Sequence, residues 1–340
     1  MNNKQSICVL FGGKSEEYEV SLSSCYNVLS NMDKSKYEIS KIGITKEGKW
    51  LRYLGNNEKI LNDTWQDETE DVFIDFSTGS VDNLPKDTVF FPIMHGTFCE
   101  DGRLQGIFET LGVKYVGCNA YSSFLCMDKH LTKLVAQSIG VPVVPSICVD
   151  KNCFDFEKVK AEAHNFTYPV FVKPTKSGSS RGSNIVYSEK SLFNALECAF
   201  EYSSTVLIER YVKCTECEIG VLSTQSGIIF SPVGSLTYCG EFYGYNEKYI
   251  DKKSIYNIPA SVSTPTQNRI TNYAKMLFNT LGIYGLSRLD FFVDKDENIY
   301  FNEINTFPGF TNESMYPMLF KKIGYSLSSI IDILIENAKI

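Results

Sequence analysis

Histidine is scarce in this chain, with three in 340 residues, and no cluster of them offers the nitrogen ligands that zinc sites use. Cys214 and Cys217 form a C-x-x-C, but no second pair accompanies it, so neither a zinc ribbon nor a redox dithiol is implied. The eleven cysteines lack the spacing of a disulfide framework and fall in apolar stretches such as Ser6–Leu10 and Phe124–Met127, as expected of a reduced interior. Positive charge is also short. Lys and Arg number 33 against 40 Asp and Glu, a net charge of -7 that argues against nucleic acid or an anionic membrane surface as partner. No apolar run approaches the ~20 residues of a spanning helix, and Met1–Gln5 leads into a short strand without a secretion signal. A cytoplasmic protein is expected. There is no Walker A sequence, internal repeat or low-complexity linker.

What is present is apolar mass in alternating blocks. At 43% hydrophobic and 13% aromatic, 340 residues can fill more than one core, and two or three domains are expected. Ser6–Phe11 is an apolar run ended by Gly12-Gly13, with a helical pattern starting near Ser21. Strands are predicted at Tyr37–Ile44, Thr88–Met94 and Val113–Val116, with a helix over Gly102–Leu111. This alternation predicts a parallel α/β layer. From Met127 the pattern changes: a helix over Lys129–Ile139, then strands at Tyr168–Lys173, Asn184–Tyr187 and Thr205–Glu209, which short connections make antiparallel. Leu- and Ile-rich residues close the chain as a helix. The boundaries expected are 1–126, 127–212 and 213–340.

Chemistry gathers near the end. Leu289–Val293 and Ile299–Asn305 read as two strands around the loop Lys295–Asn298. That hairpin sets Asp290 opposite Glu303 and puts Asn305 on Glu303's face, since strand side chains repeat every two residues. Facing carboxylates among apolar residues repel unless a cation joins them, and an all-oxygen set suits Mg²⁺. Acids pointing to solvent are the plain alternative. Arg288 shares Asp290's face, where it can serve an oxyanion or a structural salt bridge. Lys173–Gly182 lies between two strands; its glycines, the hydroxyls of Ser179 and Ser180, and its lysines suit a phosphate, although such residues also mark ordinary surface loops. Val206–Arg210 and Glu216 can wall a nucleotide pocket. His95–Gly102 joins a strand to a helix, as anion sites and plain N-caps both do. Phe307–Ser314 suits a loop that grips a carboxylate.

Together these segments resemble the D-alanine:D-alanine ligases of the ATP-grasp superfamily, from about Ile7 to near Ile335. The family's patterns are matched in order: GG-x-S-x-E-x-E-V-S at Gly12–Ser21, H-G-x-x-G-E-D-G at His95–Gly102, M-D-K at Met127–Lys129, K-P-x-x-x-G-S-S-x-G at Lys173–Gly182, F-Y-x-Y-x-x-K-Y at Phe242–Tyr249, and E-x-N-T-x-P-G-x-T at Glu303–Thr311. The resemblance implies an ATP-grasp fold of three domains, an N-terminal parallel α/β layer followed by two sheets that clamp ATP. It implies two Mg²⁺ ions, replaceable by Mn²⁺, on Asp290, Glu303 and Asn305, and a D-alanyl phosphate on the way to a D-Ala-D-Ala dipeptide for peptidoglycan. Lys129, Lys173 and Ser180 would bind phosphates, and Glu209 and Glu216 adenosine. Glu17, Ser179 and Tyr249 would surround the first substrate and Lys248 would close on phosphate with the lid. Arg288 and the Gly309 N–H would stabilise the tetrahedral intermediate, and Ser314 would hold the second carboxylate. The family also suggests a homodimer.

Two positions depart from the family. Cys99 replaces a glycine, which would reshape its turn if that glycine has positive φ, and Ser183 replaces Ile or Val behind the phosphate loop. The second substrate is divided between D-alanine and D-serine: Lys41–Trp65 faintly resembles the D-serine branch, Met315 looks like D-alanine ligases, and Tyr249 speaks against D-lactate. An ATP-binding regulator that has lost catalysis is the alternative of another class.

Overall fold

A computed structural model describes residues 4–237, 255–311 and 313–339. The first sheet runs β4–β3–β2–β1–β7–β8. Its strands are β1 (Gln5–Gly12), β2 (Tyr37–Ile44), β3 (Trp50–Tyr53), β4 (Thr69–Asp71), β7 (Val89–Ile93) and β8 (Lys114–Tyr115). β5 (Ile74–Asp75) and β6 (Ser80–Val81) form a separate ribbon. β2, β1, β7 and β8 are parallel, as the alternation predicts. Ile7, Val9 and Phe11 enter one core and Cys8 and Leu10 the other, so β1 is buried on both faces. Each such apolar side chain contributes about 1.5–3 kcal/mol.

Helix α1 (Tyr18–Asn31), with α2 (Asn57–Leu61) beside it, covers the first face, and α3 (Arg103–Leu111) covers the second. Between β1 and α1 the chain turns at Gly12, whose φ is 83° and where a Cβ would lie 2.3 Å from the Ile44 carbonyl oxygen. Only glycine fits that approach.

Helices α4 (Ala120–Met127) and α5 (Lys129–Ser138) lead to an antiparallel second sheet of β9 (Ser146–Asp150), β10 (Val170–Pro174), β11 (Asn184–Val186) and β12 (Thr205–Arg210), ordered β11–β10–β12–β9. Helices α6 (Phe156–His164) and α7 (Glu189–Phe200) pack on one face against Val170, Val172, Val206 and Ile208. Phe171, Lys173 and Glu209 are left on the other.

The third sheet, also antiparallel, orders β16–β15–β13–β17–β18 with β14 on β13. It comprises β13 (Cys214–Thr224), β14 (Gly227–Phe230), β15 (Gly234–Thr237), β16 (Ile255–Asn257), β17 (Leu286–Asp294) and β18 (Ile299–Asn305). Helix α8 (Thr264–Thr280) is started by the Ser263 cap and Pro265 in its first turn, and buries Ile270, Ala274 and Leu277 against this sheet. Helices α9 (Met315–Lys321) and α10 (Leu327–Glu336) return to the first sheet, where Ile330, Ile331 and Leu334 join its core and Asp332 accepts from Lys36 (2.6 Å) and Tyr37 (2.7 Å). No helix among the described residues is long and apolar enough to cross a membrane.

Candidate active site

The free faces of the second and third sheets and the connections after β1 and β7 border one cleft of about 1090 Å³. Asp290 pairs with Glu303 as the hairpin predicts, but by a different route. The turn is one residue tighter, with Asp294 N–H on the Asn298 carbonyl (3.1 Å) and Glu297 at φ 59°. Alone, this would slide β18 by one residue and turn Glu303 to the apolar face. A bulge offsets the slide: Phe291 pairs with Phe301 and Asp290 with Glu303, which leaves Asn302 extra.

Arg288, Asp290, Glu303 and Asn305 therefore share the cleft face, alternating with buried Leu289 and Ile304. On β13, Glu218 completes a row of carboxylates with Asp290 and Glu303. The cations that join this row in the structure are side chains of the protein itself. Arg288 bonds Asp290 through two nitrogens (2.8 and 2.7 Å) and reaches Glu218 at 3.0 Å; Lys129 lies 3.1 Å from Glu303. Burial alone would lower Arg288, but Asp290 and Glu218 outweigh it and hold the guanidinium firmly protonated. The Asn305 amide donates to Asp290 (3.0 Å), so the proposed metal ligands do meet. No cluster of three His, Cys, Asp or Glu side chains that could hold a metal ion occurs among the described residues; Asn305 adds an amide oxygen to the cleft beside Asp290 and Glu303. Carboxylate and amide oxygens are the donors that Mg²⁺ prefers.

Across the cleft, Lys173 on β10 and Glu209 on β12 are nearly fully buried. Glu209 accepts from Lys173 (3.0 Å) through one oxygen and from Lys133 through the other. Burial would raise Glu209, yet the two lysines hold its carboxyl below the usual range; burial pushes Lys133 down to about 8 despite Glu209. Two ammonium groups sharing one carboxylate leave net positive charge beside the cleft, as a phosphate requires. Lys129 opens α5 behind the Asp128 cap, which accepts from the N–H groups of His130 and Leu131, and its ammonium donates to the Ser177 carbonyl (2.7 Å). Ser179 and Ser180 have φ of 51° and 57°.

Ser179 donates to Glu17, tying the loop after β10 to the turn before α1. His95 follows β7, and its Nδ1 faces the Phe307 carbonyl (3.1 Å), an acceptor only, so Nδ1 carries the proton and Nε2 accepts from Ser24 (3.0 Å). Burial keeps this ring below its ordinary pKa, against the pull of Glu17. Burial also pushes the Glu100 carboxyl well above its usual range, with Glu17 adding to it and the Gly96 N–H (3.3 Å) opposing. At Gly309 a Cβ would lie 2.7 Å from Ser314 Oγ, which itself meets Thr311 Oγ1 at 2.7 Å. Glu216 and Ser314 also line the cleft. Tyr249 and Lys248 lie outside the described residues.

Sequence reasoning missed Lys133, Glu218 and Asn302. Lys133 is one helical turn from Lys129, and Glu218 is two residues from Glu216, so spacing alone marked both. Cys99 does not have positive φ; Phe98 does, at 77°. The Cys99 side chain fills the core beside Leu104 and Phe108, so no distortion of the turn is required. Ser183 borders the cleft. Cys214 and Cys217 are free thiols raised by burial, three residues apart on one strand and hence directed to opposite faces.

The family model described as D-ala D-ala ligase N-terminus matches residues 6–118, and that described as D-ala D-ala ligase C-terminus matches residues 135–336. The D-alanine--D-alanine ligase of Caldicellulosiruptor bescii is 40% identical, over 98% of this chain and 95% of its own. Among solved structures, the VanG D-Ala:D-Ser ligase from Enterococcus faecalis superposes with a TM-score of 0.89 at 38% identity, covering 98% of this chain and 99% of that one. The D-alanine-D-alanine ligase from Coxiella burnetii gives 0.86 at 31%, covering 98% and 93%.

Proposed function

This chain belongs to the D-alanine:D-alanine ligase family, and on that premise we propose that it joins two D-alanine molecules with ATP as the energy source. The observation that carries this is the meeting, in one cleft, of the cationic Lys173–Glu209–Lys133 group and the phosphate loop with the row Glu218, Asp290 and Glu303. A triphosphate needs the first; a divalent ion that accompanies it needs the second.

In this assignment Lys129, Lys173 and Ser180 take the phosphates, and Glu209 and Glu216 the adenosine. The first D-alanine's carboxylate attacks the γ-phosphorus, giving a D-alanyl phosphate and ADP; the second D-alanine's amine then attacks its carbonyl and phosphate leaves. Phosphorylation makes a poor leaving oxygen a good one. Mg²⁺ on Asp290, Glu303 and Asn305 would supply charge neutralisation to the transferring phosphoryl group. Glu17, oriented by Ser179, attracts the first substrate's ammonium. Arg288 and the Gly309 N–H face the developing oxyanion, while Ser314 accepts the role of binding the second carboxylate. By the family resemblance Tyr249 and Lys248, outside the described residues, would serve a lid that excludes water from the acyl phosphate. The division at 126/127 and 212/213 is supported by each sheet falling within one span. A homodimer in the cytoplasm completes the proposal.

Coupled ADP release with Mg²⁺ and D-alanine, with the product identified by mass, tests the activity. The dipeptide is expected; ATP binding without ADP release would leave the regulator instead. One observation favours a second reading, the fit to a D-Ala:D-Ser ligase. Against it, Met315 is buried with Leu236 and Leu319 and its thioether offers a serine hydroxyl only a weak acceptor. Adding D-serine decides: a mixed dipeptide in preference to D-Ala-D-Ala would establish the second reading.

A further inference from the structure

The bulged residue of β18 does more than correct a register. Along this strand Ile299 and Phe301 are buried, Asn302 and Glu303 both border the cleft, and Ile304 is buried again. Two consecutive cleft-facing residues occur because one of them has no partner on β17. The side chain gained in this way is an amide, and its Oδ1 accepts from Lys173 Nζ at 2.8 Å. This bond joins the third sheet to the second, 129 residues apart.

Lys173 is nearly fully buried, and its other partner is Glu209, which is already engaged by Lys133. A carboxylate alone would draw the ammonium toward β12 and away from the centre of the cleft. Asn302 applies a pull from the opposite wall without adding charge. An aspartate would make the same bond but cancel the ammonium's charge toward a phosphate; an aliphatic residue would leave the ammonium to Glu209. An uncharged acceptor of this length meets both demands.

We propose that Asn302 is a positioning residue of the nucleotide site: the bulge presents its amide so that Lys173 is held between the two sheets, directed at the phosphates. Glu303 and Asn302 are then set by one backbone event. The residue after the bulge faces Asp290, and the bulged residue itself fixes the lysine on the opposite wall.

Because the inference rests on the ligase reading, ADP binding with Mg²⁺ is first measured on the unsubstituted protein by calorimetry. Failure to bind there overturns the nucleotide assignment itself, whatever Asn302 does. Given binding, Asn302→Ala is expected to weaken ADP and raise KM for ATP about tenfold, the loss of one hydrogen bond to a charged group, with KM for D-alanine and Tm unmoved. Asn302→Asp, isosteric and able to fold, is expected to bind ADP more weakly still. In a Lys173→Met background Asn302→Ala should add nothing, because both act through one group. ADP affinity within about twofold of the unsubstituted protein in both variants, or full additivity with Lys173→Met, would overturn the proposal. A purely structural role would lower Tm in both and leave the ATP and D-alanine constants changed alike.

Discussion

β1 and β17 are both central strands, yet they supply the cleft in opposite ways. β1 is buried on both faces, its side chains divided between two cores, and nothing along its length is free for chemistry. Its contribution comes after its end, where the glycine turn delivers Glu17; β7 likewise delivers His95. β17 alternates buried Leu289, Phe291 and Val293 with half-buried Arg288, Asp290 and Phe292, so its own body carries reactive groups. A parallel sheet covered by helices must place function at its strand ends. Antiparallel sheets with one open face can place it anywhere along a strand, and two such faces opposed make a cleft lined by rigid backbone.

If this contrast is right, substitution within β1 should affect stability and within β17 turnover. Leu10→Ala should cost about 2–5 kcal/mol of stability, lowering the denaturant midpoint, while kcat per folded molecule is retained. A loss of kcat at full stability would break the contrast. Arg288→Met should lower kcat on the order of 10²–10³-fold with a much smaller change in melting behaviour; a collapse of the fold with activity per folded molecule intact would make β17 an ordinary core strand. The smallest effect concerns a residue at a strand end. Glu100 binds its proton more tightly when folded than its ordinary value of 4.5 allows in the unfolded chain. Folding stability therefore falls as pH rises above about that value, and below it both states are protonated and no difference remains. Glu100→Gln removes the penalty: melting should match the parent near pH 4 and exceed it by pH 7. Equal melting at both pH values would show that the burial of Glu100 is not felt.

Much of this was legible in the chain. The parallel layer follows from apolar runs ended by Gly12-Gly13 and by His95-Gly96, and Asp290 opposite Glu303 follows from the hairpin. The bulge was not expected, although its trace is present: apolar residues fall at Ile299, Phe301 and Ile304, a step of two followed by a step of three. A strict period of two gave the right pair because a shorter turn and an extra residue offset one another. Lys133 with Glu209, 76 residues apart, was beyond local pattern, since the pair forms only when α5, packed on β18 of the third sheet, brings Lys133 to β12. Arg288 beside Asp290 was legible from the strand spacing, two residues along one face, whereas Lys129 as the partner of Glu303 was hidden by its distance along the chain.

Helices α9 and α10 fill a face of the first sheet with Tyr316, Phe320, Ile330 and Leu334. A growing chain therefore cannot finish the layer it began with until these helices have been made. Until then Ile7, Val9 and Phe11 have α1 as cover but lack the rest of their apolar surroundings. Assembly of this protein is closed by its last helices, and a chain interrupted before them would expose sticky surface at its opposite end.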